Sequence, residues 1–229
     1  MNILEVKNVS KSFDKKNIIK KISFNIEEGK IVGLLGKNGS GKSTILKMIN
    51  DLLTLDSGEI LVNGIPVSDQ TKSLISFLPE RTYLERDQTI EQVFKYFEDF
   101  YDDFDRKKAE KLLKDLDLDL KESLSKMSKG MQEKLQLILV MSRRAKLYIL
   151  DEPLGGVDPS TREYILKTIL SNFEDNSSLL ITTHLVADIE KILDEVIFID
   201  KGKIILNENA DTLRKKEKAS IDEIFRRTI

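Results

Sequence analysis

Gly36 to Thr44 reads GKNGSGKST and fits the pattern G-x-x-x-x-G-K-[ST], with Gly36, Gly41, Lys42 and Ser43 at the fixed places. Backbone N–H groups converge on phosphate oxygens only where no Cβ intervenes, so a loop built for that task is rich in glycine. Gly36, Lys37, Asn38, Gly39, Ser40, Gly41, Lys42, Ser43 and Thr44 are therefore candidate contacts to a nucleotide's phosphates. A helix starting at such a loop aims its N-terminus at the same anion. Lys42 can neutralise the β- and γ-phosphates, and the Ser43 hydroxyl can reach Mg²⁺.

A second cluster follows later in the chain. Leu147-Tyr148-Ile149-Leu150 runs into Asp151-Glu152-Pro153, so two carboxylates end an apolar strand, where open α/β sheets place their ligands. Asp151 suits Mg²⁺, and Glu152 is then free to orient or deprotonate an attacking water. His184 ends the apolar run LLITTH, and a neutral imidazole there can contact a γ-phosphate and that water. An acidic pair or a lone histidine after a strand is also an ordinary structural feature; the phosphate loop upstream supplies the chemical reading.

These residues need strands and helices to hold them. Leu4-Glu5-Val6 and Ile22 to Ile26 alternate as strands, and Lys30 to Leu35 reads as a strand buried on both faces. The spacing predicts a helix from about Ser43 to Asp51, and a hairpin over Gly58 to Val67 with Asn63-Gly64 as a type I′ turn. From about Glu91 to Met141 the pattern turns helical, with Val93, Phe97, Phe100 and Phe104 expected on one face. Asp105 is placed to cap a helix carrying Ala109, Leu112, Leu113 and Leu116. Beyond it, strands at 147–150 and 179–183 alternate with helices opened by Asp158-Pro159 and running from about Val186 to Leu193. A hairpin follows with Lys201-Gly202 as its turn, then a charged, helix-prone end from Thr212 to Ile229. The alternation implies a largely parallel sheet, interrupted near 85–142 by an inserted helical lobe.

Composition removes other chemistries. The 229 residues contain no cysteine, which excludes disulfides, thiolate zinc sites and cysteine nucleophiles, and a single histidine, which excludes multi-histidine metal sites. With 37 basic against 39 acidic residues, the net charge of −2 argues against a broad basic surface for nucleic acid. The chain is 40% hydrophobic and 33% charged, and long enough to bury a core unaided. The N-terminus lacks a signal-like apolar core, and the longest apolar run, Leu137 to Met141, is far short of the roughly 20 residues of a membrane span. The expectation is a soluble, cytoplasmic chain that needs another chain for any path through a bilayer.

Over about residues 1–210 the sequence resembles the nucleotide-binding subunits of ATP-binding cassette (ABC) transporters. GKNGSGKST is similar to that family's Walker A motif and LYILDEP to its Walker B motif with the adjoining catalytic glutamate. Gly155 to Asp158 stands where the D-loop belongs, His184 matches the switch histidine, and Phe13, in KSFDKKN, stands where an aromatic ring stacks on adenine. The usual LSGGQ signature corresponds to Met127-Ser128-Lys129-Gly130-Met131, which keeps Ser128 and Gly130 but departs at Lys129 and Met131. Glu80 occupies the place of a glutamine that reaches Mg²⁺ and the water; a carboxylate can also ligate that ion.

The resemblance implies an α/β P-loop (RecA-like) core with a largely parallel sheet, an N-terminal antiparallel β subdomain and an inserted α-helical subdomain. It implies one nucleotide-binding domain over 1–229, with a catalytic core at 1–84 and 143–210, the helical subdomain at 85–142 and a helical tail at 211–229. It further implies ATP and Mg²⁺ as cofactors and catalysis by Lys42, Glu152 and His184. Ser43, Glu80 and Asp151 would lie at the metal. Ser128 and Gly130 would complete the site of a second, head-to-tail cassette, identical or homologous. A separate transmembrane permease would place the chain at the inner face of the membrane. The short lobe, Glu80 and the SKGM form are similar to bacterial exporters of antimicrobial or amphipathic peptides, the phenol-soluble modulin exporters among them.

Of the five tyrosines and ten phenylalanines, Phe94, Tyr96, Phe97, Phe100, Tyr101 and Phe104 crowd one short stretch. One helix face cannot bury them all, so part of the set is either simply exposed or a docking wall for the permease, with Phe94 and Tyr101 as first candidates. The basic run LRKKEK, starting at Leu213, is expected to form a solvated helix. Two other readings stay open: a soluble ABC ATPase acting on DNA or the ribosome, for which residues 45–127 are too few to hold the usual long coiled coil, and an ATP-binding switch that does not hydrolyse. A GTPase is disfavoured, since no N-K-x-D motif is present.

Overall fold

Strand β3 (Ile31–Leu35) is buried on both faces, and its neighbours explain why. The structure, a computed structural model, describes residues 1–14, 16–173 and 176–229. Two sheets are stacked around helix α1 (Lys42–Ile49). The first is antiparallel: β1 (Asn2–Phe13) pairs with β2 (Lys16–Glu27) on one side and β4 (Ser57–Val62) on the other, and β5 (Ile65–Pro66) closes that edge. The turn from β4 to β5 has Asn63 and Gly64 both at positive φ, 51° and 75°, as a type I′ hairpin requires.

The second sheet has the order β10-β9-β3-β8-β7-β6, with β6 (Ile75–Leu78), β7 (Leu147–Asp151), β8 (Ser178–Thr183) and β9 (Glu195–Asp200) parallel to β3 and β10 (Lys203–Asn209) antiparallel at the edge. Side chains alternate across it. Leu147, Ile149, Leu180 and Ile197 join the core shared with α1 and the first sheet, whereas Tyr148, Leu150, Leu179, Ile181 and Phe198 join a core covered by helices. Two buried faces are why these strands read as unbroken apolar runs.

Register places the chemistry. Leu35 lies opposite Thr183, and Asp151 opposite Thr182, so the loops leaving β3, β7 and β8 open at one edge of the sheet. Between β6 and β7 lies the helical lobe: α3 (Ile90–Phe100), α4 (Arg106–Lys114) and α5 (Lys129–Met141), preceded by the single turn α2 (Asp69–Lys72) ahead of β6. Asp105 caps α4 by accepting from the Lys108 N–H at 3.0 Å.

The lobe corrects one sequence expectation. The buried face of α3 is Ile90, Val93, Phe94 and Phe97, and Phe100 is 67% exposed. The helix ends there, Tyr101 turns extended, and its ring lies 3.8 Å from the Arg143 guanidinium, while Phe104 packs on Phe94 and Phe97 from the following turn. Phe94 is fully buried and belongs to the lobe core, so it is not a docking residue.

After β7, α6 (Pro159–Asn172) starts at its Asp158 cap, and α7 (Val186–Ile189) is shorter than the 186–193 expected, continuing only as a 3₁₀ turn to Ile192. The end of the chain forms α8 (Ala210–Glu217) and α9 (Ile221–Thr228). These helices are not merely solvated: Leu213, Ile221, Ile224 and Phe225 are buried in the helix-covered core, while the charged sides of α8 and α9 face out. Among the described residues, no helix is long and apolar enough to cross a membrane.

The β9–β10 turn carries a first prediction. Gly202 has φ 76°, donates its N–H to the Ser40 carbonyl in the phosphate loop at 3.0 Å, and accepts from the Lys20 N–H at 2.9 Å. A Cβ there would meet the Ile18 carbonyl oxygen at 1.9 Å. Gly202→Ala is expected to lose at least about 1–3 kcal/mol, because the left-handed backbone and the clash with a backbone atom act together. Urea unfolding checks it; a variant as stable as the parent contradicts it.

Candidate functional site

The phosphate loop is held from both sides. Gly36 lies where a Cβ would come within 2.5 Å of both the Ile199 carbonyl and Ser40 Oγ, so only glycine lets β9 approach the loop. Lys42, the first residue of α1, is buried; its Nζ donates to the Gly36 carbonyl at 2.6 Å and lies 3.1 Å from Glu152 Oε1. Among the described residues that oxygen accepts no hydrogen bond, so the contact is an ion pair rather than an aligned bond.

Three strand ends build the acidic side. Thr182 on β8, directly across from Asp151, donates its hydroxyl to Asp151 Oδ1 at 2.6 Å. The Glu152 N–H donates to Thr182 Oγ1 at 3.0 Å and to the Thr182 carbonyl at 3.1 Å. Thr182 thus fixes the Asp151 carboxylate and the Glu152 backbone, with Glu152 in the left-handed region at φ 50°. Glu152 Oε2 in turn lies 2.8 Å from His184 Nδ1 and accepts from the His184 N–H at 3.3 Å. Lys42, Glu152 and His184 therefore form one chain across the mouth of β3, β7 and β8.

Phe13, Gly39, Lys42, Ser43 and Thr44 line a cleft of about 580 Å³ with Glu80 and Glu152. Phe13 is 45% exposed at the cleft, with the Lys11 ammonium over one face, 5.5 Å from its ring centre. Asn38 lines the same cleft and Ser40 is buried, whereas the Lys37 side chain turns away and donates to the main-chain oxygen of Ile229. Ser43, Glu80 and Asp151 offer only oxygen donors, and among the described residues no group of three or more acids, cysteines or histidines could by itself hold a metal. That donor set fits Mg²⁺, which binds through one or two protein oxygens plus substrate phosphates and waters.

Ser128 and Gly130 do not line the phosphate-loop cleft. Ser128 caps α5, accepting from the Met131 N–H at 3.3 Å, and Gly130 faces Thr161 at the start of α6. Asp158 is spent on that start: it accepts from the hydroxyls of Ser160 and Thr161 and the Thr161 N–H at 2.5, 2.7 and 3.1 Å, which hold its carboxyl well below the usual range.

Sequence reasoning missed Thr182 and the Lys42–Glu152 pair. The signal for Thr182 was present, since it lies two residues before His184 at the end of an apolar run. The ion pair had none, because its partners meet only when β3 and β7 are aligned through β8.

A family model described as ABC transporter matches residues 19–155. The Nod factor export ATP-binding protein I of Sinorhizobium fredii (strain NBRC 101917 / NGR234) is 32% identical over 211 residues, covering 89% of this chain and 62% of that protein. The glutamine transport ATP-binding protein GlnQ of Escherichia coli (strain K12) is 30% identical over 231 residues, covering 93% and 94%. Among solved structures, the ATP binding subunit of an ABC transporter superposes with a TM-score of 0.88 at 27% identity, covering 99% of both chains.

Proposed function

The chain belongs to the ABC transporter family as an ATP-binding, ATP-hydrolysing subunit, and from that premise we propose that it powers export of peptides or other amphipathic compounds through a separate permease. The observation that carries the catalytic half is the Lys42–Glu152–His184 chain, with contacts of 3.1 and 2.8 Å at three converging strand ends.

In this reading the N–H groups of 36–44 and the Lys42 ammonium bind the β- and γ-phosphates, and Phe13 stacks on the base. Ser43, Glu80 and Asp151 would hold Mg²⁺, which would supply positive charge to the phosphate oxygens. Glu152 accepts a proton from the attacking water as its oxygen bonds to the γ-phosphorus, and the bond to the ADP oxygen breaks. His184 holds Glu152 in place. Ser128 and Gly130 serve the site of a second cassette, identical or homologous, in a head-to-tail pair. The core (1–84 and 143–210) and the helical subdomain (85–142) move as units against the permease, which keeps the chain at the inner face of the membrane.

Support for the docking side comes from the lobe edge. Tyr96 and Phe100 are exposed, their rings 4.4 Å apart, and Tyr96 joins exposed Leu52 and Tyr83 around an apolar groove of about 370 Å³ between core and lobe. The relative named for Nod factor export supports the outward direction.

The experiment is purification of the native membrane complex through this chain. A transmembrane subunit is expected to co-purify and, reconstituted in vesicles, to move amphipathic peptide out of the compartment that holds ATP. Replacing Tyr96 and Phe100 together by alanine is expected to release that subunit while the soluble chain still hydrolyses ATP. Unchanged co-purification ends the docking assignment; peptide moving toward the ATP side ends the export reading.

A further inference from the structure

On α5, Gln136 is 3% exposed, yet its side-chain Nε2 has no hydrogen-bond partner among the described residues. A buried amide left without a partner costs about 1–3 kcal/mol, so an unpaired one needs a reason. Its surroundings supply one. Gln136 lines a narrow cleft of about 30 Å³ together with Glu80, Glu133, Asp151 and Glu152. Four acids and this one amide thus border the same small space. Glu133, one helical turn before Gln136 and so on the same face of α5, also has a buried oxygen, Oε2, without a partner. The space suits one water molecule, and a donor with several acceptors around it is the polar setting such a water needs.

We propose that Gln136 is a positioning residue for hydrolysis: its amide donates to a water held in this cleft, which in turn donates to the Glu152 carboxylate and fixes its orientation toward the attacking water. The assignment rests on Glu152 acting as the base. Glu152 already has one oxygen turned to Lys42 and the other to His184, at 3.1 and 2.8 Å. When the Lys42 ammonium is drawn to phosphate, the first contact is given up, and a donor from the α5 side keeps the carboxylate from swinging. The same link ties the helical lobe to the strand tip, so that movement of α5 changes Glu152's setting.

The test compares Gln136→Met, which keeps volume but has no amide, with Gln136→Asn, Glu152→Gln and the parent. ATP turnover, fluorescent-nucleotide affinity and Tm are measured on the full chain. Gln136→Met is expected to lower kcat about ten-fold with KM and nucleotide affinity unchanged. Its Tm is expected to stay near the parent's, because Met fills a similar volume and no protein group loses a direct hydrogen-bond partner. Gln136→Asn is expected to recover part of kcat. A Met variant with the parent's kcat, or one that loses kcat, affinity and Tm together, overturns the assignment. In the same assay an active parent with a silent Glu152→Gln variant shows that only the role of Gln136 has failed; an active Glu152→Gln variant overturns the base and Gln136 together.

Discussion

Glu152→Gln is expected to cut ATP turnover by about 10²–10⁴-fold, the range that a positioned general base supplies, while ATP still binds. The substitution keeps the shape of the side chain and its reach to His184, so the strand tip should fold unchanged. What it removes is the proton acceptor and one negative charge. That charge has a second consequence here. Lys42 Nζ lies 3.1 Å from Glu152 Oε1 and donates to the Gly36 carbonyl at 2.6 Å. In the proposed mechanism the γ-phosphate competes with a buried carboxylate for the same ammonium. An amide competes far less, so the variant is expected to bind ATP more tightly than the parent even as it fails to split it. Phosphate release and nucleotide titration on one preparation read both effects. Undiminished turnover would remove Glu152 as the base, and weakened binding would remove the competition.

The second large effect is structural. Arg143 follows the end of α5 and is 3% exposed. It donates to both Asp103 oxygens at 2.9 and 3.1 Å, to the Ile75 carbonyl at 2.6 Å and to the Ser73 carbonyl at 3.0 Å, and it stacks against Tyr101. One guanidinium thus joins the lobe, through Asp103 and Tyr101, to the start of β6 in the core. Arg143→Leu leaves two carbonyls and a partly buried carboxylate without their donor. The expected cost is about 3 kcal/mol, as when one partner of a buried pair is removed. Urea unfolding should show it as a lower midpoint, and limited proteolysis should cut the lobe between α3 and α4 first. Arg143→Lys is not expected to rescue it, since an ammonium cannot hold the fork to Asp103 and reach both carbonyls. A leucine variant as stable as the parent would show that the clamp contributes nothing.

Legibility in the sequence followed the range of the interactions. The β4–β5 turn, the Asp105 and Asp158 caps and the strand ends at Asp151 and His184 were readable, because each is decided within a few residues by turn chemistry, capping or apolar runs. The face of α3 was misread in the second half of the pattern: Phe100, the last helical residue, points out, and Phe104 lies beyond the helix and packs back on Phe94 and Phe97. Just past the helix, Tyr101 turns extended and its ring lies against the Arg143 guanidinium, a partner 42 residues away that the local pattern does not contain. The charged run in α8 suggested a free helix, yet Leu213 and the apolar side of α9 are buried in the core. A short amphipathic helix does not state in its own sequence which surface it will cover.

The nine residues from Gly36 to Thr44 and the carboxylates after Leu150 suffice to name the ligand class and the reaction, since a phosphate cradle is made by consecutive backbone N–H groups. Tertiary structure alone decided that Lys42 faces Glu152, that Thr182 holds the Asp151 carboxylate and the Glu152 backbone, and that Gln136 shares a small cleft with four acids. Those contacts join segments far apart in the chain, and their alignment comes from parallel strands buried on both faces, where a slip of one residue would turn every side chain to the wrong core.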